Sequence, residues 1–164
     1  MWPVARAGTV KYWLPLDTRL PALIFLFYHR SLEKYISSII PEGKRVLEVG
    51  CGNGDLLSST RPAYGVGIDF APASIEIALE SASDHLDFYV HDIRLPFWGN
   101  YFDYAFNFFT SFGYFKTRRE HDNAIRTIGK SLKPGGVFVI DYLNVHFAEA
   151  KVVHEEEKQI GDSL

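Results

Sequence analysis

Five short apolar runs punctuate the middle of the chain, at residues 45–49, 63–69, 86–90, 101–109 and 137–142. The first, Arg45-Val-Leu-Glu-Val, is dominated by branched apolar side chains, the pattern of a strand buried on both faces. Between the runs the period changes. Ala124, Ile125, Ile128 and Leu132 recur at helical spacing behind Thr117-Arg-Arg-Glu120, a capping box, with Lys130 and Lys133 towards the carboxyl end. Asp55-Leu-Leu opens another helix. Ala71-Pro72 opens a third, with proline near the first turn, where its missing N–H costs nothing. Upstream, residues 22–40 read as a helix with Leu32, Tyr35, Ile36 and Ile39 on one face, ended by Pro41 and preceded by a proline-bearing arm over 1–21. The alternation predicts an α/β fold in one domain spanning 1–164, with its core at 45–144 and a short tail at 145–164.

The chemistry is concentrated where the first strand ends. Glu48 interrupts an apolar run at a place where acids are rarely left unpaired. Gly50, Gly52 and Gly54 follow at alternate positions, just before the helix at Asp55. Glycine allows positive φ and lets a backbone approach a ligand closely, so strand, loop and helix start together form a nucleotide-type site. A dinucleotide fingerprint, G-x-G-x-x-G, would need a third glycine where Asp55 stands. The motif present is E-x-G-x-G-x-G. Asp69 closes the second run 19 residues after Gly50, near the offset of ~20 at which an acid meets ribose hydroxyls in doubly wound folds.

The E-x-G-x-G-x-G stretch resembles the first motif of class I S-adenosylmethionine-dependent methyltransferases. Three further stretches carry the same resemblance in order: GIDFAPASIEIA from Gly67, Phe102-Asp103-Tyr104 at the start of the fourth run, and LKPGG at 132–136 before the fifth. The resemblance implies a Rossmann-like, doubly wound, mainly parallel sheet in strand order 3-2-1-4-5 and S-adenosylmethionine as cofactor, with S-adenosylhomocysteine as product. By the same resemblance the cofactor contacts fall on Glu48, Gly50, Cys51, Gly52 and Asn53, then on Asp69 and Phe70, on Asp92 and Ile93, and on Asn107 and Phe108. Asp92 stands where the family accepts from the adenine amino group, and Phe70 is placed to lie against the adenine. Tyr28 on the N-terminal helix, with Phe112 and Tyr114 in the aromatic stretch NFFTSFGYF, would face the acceptor. His91 reads as a packed or surface imidazole. No catalytic residue is assigned; Tyr114, His29 and His146 are the nearest candidates for a base.

Composition adjusts this picture little. An apolar content of 47% with 23% charged residues is ordinary for a globular domain, and a net charge of −3 argues against a nucleic-acid partner. Acids gather around the glycine loop, where Arg61 is the single cation between residues 46 and 92, a balance that suits a cationic sulfonium or a solvated helix face. Cys51 is the only cysteine, so an internal disulfide and a cysteine-based zinc site are excluded; it reads as a small packed residue in a reducing cytoplasm, and no metal is expected. The apolar run 22–28 is far short of the ~20 residues that span a bilayer, so no membrane partner is expected.

The family's sheet normally has seven strands, and 20 residues follow Asn144, too few for the last two. The chain is therefore expected to be a truncated, minimal or engineered form, or a fragment, lacking those strands. Its fifth strand, apolar on both faces, would then be an edge seeking cover, from the tail or from a second copy in a homodimer. Two functions remain in view: methyl transfer to a small-molecule acceptor, or a non-catalytic or engineered minimal cofactor-binding module without a complete acceptor site. A dinucleotide-dependent oxidoreductase is disfavoured by the missing third glycine.

Overall fold

The densest apolar run lies at the centre of the sheet. In the computed structural model, which describes residues 30–108 and 112–141, Arg45–Val49 forms β1 and every residue after Arg45 is buried. Strand β1 pairs with β2 (Tyr64–Asp69) on one side and with β4 (Phe102–Asn107) on the other; β3 (Leu86–Val90) and β5 (Leu132–Ile140) lie outside them. All pairings are parallel and the order is β3-β2-β1-β4-β5, as expected from the sequence. The backbone divides into two compact units, Met1–Pro41 and Glu42–Leu164. The first contains α1, residues 30–39, within the expected 22–40 helix. The second contains the sheet with α2 (Asp55–Thr60), α3 (Pro72–Ala78) and α4 (Arg118–Ser131).

The two faces of the sheet are packed differently. Leu47 and Val49 of β1, Val66 and Ile68 of β2 and Ala105 of β4 form one buried cluster with Ile128 and Leu132. Phe97, Trp98 and Tyr101 cover it, Trp98 lying 5.5 Å from the Phe102 ring. On the other strand parity sit Glu48, Gly65 and Gly67, and here glycine is a packing requirement. A Cβ on Gly67 would lie 2.6 Å from the Phe88 ring and 2.9 Å from Cys51 Sγ. A Cβ on Gly54 would meet the same ring, also at 2.6 Å. Phe88 of β3 thus fills the space beneath the glycine loop.

Helix α4 begins as expected. Thr117 Oγ1 accepts from Glu120 N–H, and the Glu120 carboxylate accepts from Thr117 N–H at 3.0 Å, completing the capping box. Its buried stripe is Ala124, Ile128 and Ser131, with Leu132 just beyond. Ile125 is exposed, contrary to the expected stripe, because the row buried against the sheet runs i, i+4, i+7 from Ala124 and leaves position 125 on its flank.

Strand boundaries differ from expectation most in β4 and β5. β4 ends at Asn107, two residues before the apolar run does. β5 starts at Leu132, inside the stretch expected to be a turn. Phe102 pairs with Leu132 and Tyr104 with Val137, so Asp103 alone stands opposite residues 133–136. The Lys-Pro-Gly-Gly segment is therefore a wide bulge within the ladder, with Gly135 at φ +79°. Asp103 holds it: one carboxylate oxygen accepts from Lys133 Nζ at 2.8 Å and the other from Arg45 N–H at 2.9 Å. Lys133 therefore serves this ion pair, not the end of α4.

Candidate functional site

At the carboxyl ends of β1, β2 and β3, a cavity of about 800 Å³ is lined by Val49, Gly50, Asp69, Phe70, His91, Asp92, Ile93, Arg94, Tyr114, Phe115, Lys116 and Glu120. Ligands of open α/β folds bind at this edge, and the size suits a small organic molecule. The site is built from the turn after β1. Gly50, Gly52 and Gly54 all adopt positive φ (73°, 54° and 79°), a region in which a side chain is strained. Gly50 and Cys51 N–H both donate to Ile68 O, at 2.7 and 3.0 Å, binding the loop to the end of β2. Asp69 completes the brace: one carboxylate oxygen accepts from Gly52 N–H at 3.0 Å and the other from Ala71 N–H at 2.8 Å.

The residues singled out from the sequence separate into two groups. Gly50, Asp69, Phe70, Asp92, Ile93 and Tyr114 share the cavity wall, with Phe70 and Tyr114 strongly exposed. The others stand behind or beside it. Glu48 is buried, and its carboxyl accepts from Leu57 N–H of α2 at 3.1 Å. Burial raises its proton affinity well above the ordinary carboxylate range, against the pull of that hydrogen bond and with help from Asp55 and Asp69. Cys51 is buried against Gly67, and burial likewise pushes its thiol up, so it stays protonated and inert. Asn53 is exposed, its amide donating to Asp55. Asn107 donates through Nδ2 to Val49 O at 2.6 Å, while its buried Oδ1 has no partner among the described residues.

The aromatic stretch does not form one wall. Phe108 is buried, its ring 5.4 Å from Phe106. Phe112 packs on Phe115 and His121, at 6.1 and 5.5 Å, instead of lining the cavity. Tyr114 and Phe115 do line it, together with Asp69 and Asp92. Tyr28, His29 and His146 lie outside the described residues.

Arg94, Phe115, Lys116 and Glu120 also line the cavity, although their sequence positions alone assigned none of them an individual role in the site. Arg94 grips Asp92, with Nε 3.0 Å from each carboxylate oxygen, Nη2 2.6 Å from Oδ2, and its own N–H 2.9 Å from Oδ1. Its Nη1 donates to Glu120 Oε1 at 2.5 Å. The Arg94 hydrogen bonds hold the Asp92 carboxyl below the usual range, and Glu120 is lowered through Thr117 first and Arg94 second. Thr127 of α4 also donates to Ile93 O, fixing this loop to the helix. A legible signal existed, since D-x-R lets an aspartate accept from the backbone N–H two residues on. His91 is a packed imidazole as expected, 4.6 Å from the Phe97 ring, although its edge reaches the cavity.

The model of the methyltransferase-domain family matches residues 18–159. The chain belongs to that family. Among its curated relatives, the dTDP-4-amino-2,3,4,6-tetradeoxy-D-glucose N,N-dimethyltransferase of Saccharopolyspora spinosa is 30% identical over 74% of this chain and 52% of its own length. The dTDP-3-amino-3,4,6-trideoxy-alpha-D-glucopyranose N,N-dimethyltransferase of Streptomyces venezuelae is 29% identical over 65% of this chain and 45% of its own. The chain spans about half the length of the curated relatives it matches. Among solved structures, SAM-bound CalS10, an amino pentose methyltransferase from Micromonospora echinaspora, superposes with a TM-score of 0.59 and 26% identity, over 79% of this chain and 58% of that one. Among the described residues, no helix is long and apolar enough to cross a membrane.

Proposed function

We propose that this methyltransferase-family domain binds S-adenosylmethionine in the cavity at the β1–β3 edge and serves methyl transfer to a small-molecule acceptor, releasing S-adenosylhomocysteine. The observation that carries the reading is that one cavity gathers Gly50, Asp69, Phe70 and Asp92 from three successive strand ends. The residues present fit the group. A Cβ on Gly52 would meet nothing within 4 Å among the described residues, so the loop is open there for a ligand to lie against its backbone. Each Asp69 oxygen accepts one backbone N–H and keeps a lone pair, which suits two adjacent ribose hydroxyls. Phe70 and Ile93 supply apolar surface for a nucleobase, and Asp92 an acceptor for its amino group. Asn107 Oδ1, without a partner among the described residues, would take a donor such as an ammonium group.

When bound, S-adenosylmethionine supplies a methyl group on a sulfonium. What the protein must add is alignment, by holding nucleoside and loop so that the donor is directed at the acceptor. A base is needed only where the acceptor must lose a proton. Amino sugars are the acceptor class to test first, because the names of the two curated relatives and of the SAM-bound neighbour specify them.

Calorimetric titration with S-adenosylmethionine, S-adenosylhomocysteine and NAD in parallel tests the binding. Saturable binding of the first two and not the third supports it, and binding of NAD alone overturns it. Methyl transfer to an amino-sugar acceptor then separates an enzyme from a binding module. We further propose a homodimer paired at β5, which among the described residues pairs with β4 alone and leaves Val137 and Ile140 exposed. Light scattering across the micromolar range should show twice the chain mass; a monomer throughout removes that proposal.

A further inference from the structure

We infer that Arg94 is a positioning residue that sets nucleobase selectivity by orienting Asp92. This rests on the proposed reading of Asp92 as the acceptor for a nucleobase amino group. A carboxylate offers about four lone-pair directions. Residue 94 alone brings three donor protons to Asp92: its backbone N–H, the Nε–H shared between both oxygens, and one Nη2–H. The acceptor capacity that remains is small and fixed in direction, and Asp92 lines the cavity. The arginine is itself held from the far side, by Glu120 at the amino end of α4, and its guanidinium lies 5.5 Å from the Phe115 ring. Three elements therefore fix one carboxylate: the loop after β3, α4, and the aromatic segment before it.

The consequence is chemical. A carboxylate gripped by a guanidinium stays ionised and accepts hydrogen bonds without donating any. It therefore takes an exocyclic amino group and opposes a carbonyl at the same position. Arg94 thus makes the site choose a 6-amino purine over a 6-oxo purine. Without the guanidinium, Asp92 would keep one backbone hydrogen bond, turn about its side-chain torsions, and take up a proton more readily. It could then donate to a carbonyl.

The test compares two ligands on each sample of the full chain, S-adenosylhomocysteine and its 6-oxo analogue S-inosylhomocysteine, by calorimetry. The wild type should prefer the amino ligand by about 10- to 100-fold, the range for a charge-assisted hydrogen bond. Arg94→Met should bring the two dissociation constants within about threefold of each other. Arg94→Lys, which keeps the charge and loses the fork, should give an intermediate ratio. The ratio is taken within one sample, so a loss of folded protein cancels, and a merely structural role would weaken both ligands equally. A preference unchanged in both variants overturns the inference while leaving the cofactor reading intact. Tight binding of both ligands by the wild type removes the role of Asp92 and the inference with it, and no binding of either removes the cofactor reading itself.

Discussion

The Asp69 carboxylate accepts a hydrogen bond from the backbone N–H of Gly52 at 3.0 Å, joining the end of β2 to the turn after β1. One side chain therefore shapes the loop and stands at the cavity wall. In the proposed function its remaining lone pairs meet the ribose diol. Asp69→Ala should weaken S-adenosylhomocysteine by about 10- to 200-fold, the equivalent of roughly 1.5–3 kcal/mol for hydrogen bonds to a charged group. Asp69→Asn, which keeps one acceptor oxygen, should fall between. A calorimetric dissociation constant unchanged in Asp69→Ala removes the assignment.

Two glycines of the same loop should respond unequally to a side chain. At Gly54 the new methyl would lie 2.6 Å from the Phe88 ring, so Gly54→Ala must displace a packed aromatic at a cost of about 1–3 kcal/mol in stability. At Gly52 the methyl meets no atom of the described residues within 4 Å, and the cost is the positive φ alone, about 1 kcal/mol. Gly52→Val should abolish cofactor binding with its circular dichroism spectrum largely intact, because the added bulk projects into the open side of the loop. Chemical denaturation and calorimetry on the two variants check the contrast. A Gly52→Val protein that binds normally would show that the ligand does not lie on this turn.

These contrasts mark what a single sequence could and could not disclose. The strands and the acids at their ends were legible, because burial on both faces writes continuous apolar runs and the turn chemistry is local, while their order came from the family resemblance. The capping box at Thr117 was legible for the same reason. Gly67 was not, since its role depends on Phe88, a residue of the neighbouring strand that enters from a distance in the chain. The grip of Arg94 on Asp92 begins as a local turn, but its anchorage at Glu120 joins residues 26 apart. Lys-Pro-Gly-Gly read as a turn because its composition is that of one; only pairing with β4 makes it a bulge.

The bulge yields its own prediction. Asp103 satisfies Arg45 N–H and pairs with Lys133, tying β1, β4 and β5 at the end of the sheet remote from the cavity. Burial works against ionisation of Asp103, but the bonds to Lys133 and Arg45 outweigh it and its carboxyl is lowered. A lowered acid contributes stability that is present above its unfolded value and lost as pH falls through the folded one. Asp103→Asn should therefore lower the melting temperature at neutral pH, with the gap from wild type closing below about pH 4. Cofactor affinity at neutral pH should stay within about twofold, since the lost ion pair lies at the end of the sheet remote from the cavity. A gap that does not vary with pH would show that the charge of Asp103 contributes nothing.

Glu48 behaves in the opposite sense. Its side chain is buried beneath the glycine loop with Leu57 N–H as its hydrogen-bond donor. Burial raises its folded-state value, so the folded protein holds this proton more tightly than the unfolded chain does. The stability contributed by such a group is fully present below the unfolded value, about 4.3, and is lost as pH rises through the folded value. Glu48→Gln keeps an acceptor oxygen for Leu57 and has no proton to lose. Above pH 5, where the unfolded chain has given up this proton and the folded protein holds it more tightly, the wild-type melting temperature should fall relative to that of Glu48→Gln as pH rises. Glu48→Leu, by contrast, leaves the Leu57 N–H without an acceptor and should cost about 1–3 kcal/mol at every pH. Thermal melts of the three proteins over this range decide the matter, because every other titrating group is common to them and cancels in the difference. A wild-type-to-Gln difference that stays constant from pH 5 to pH 8 would mean that Glu48 carries the same charge in the folded and unfolded chains over this range, and that burial does not raise its proton affinity.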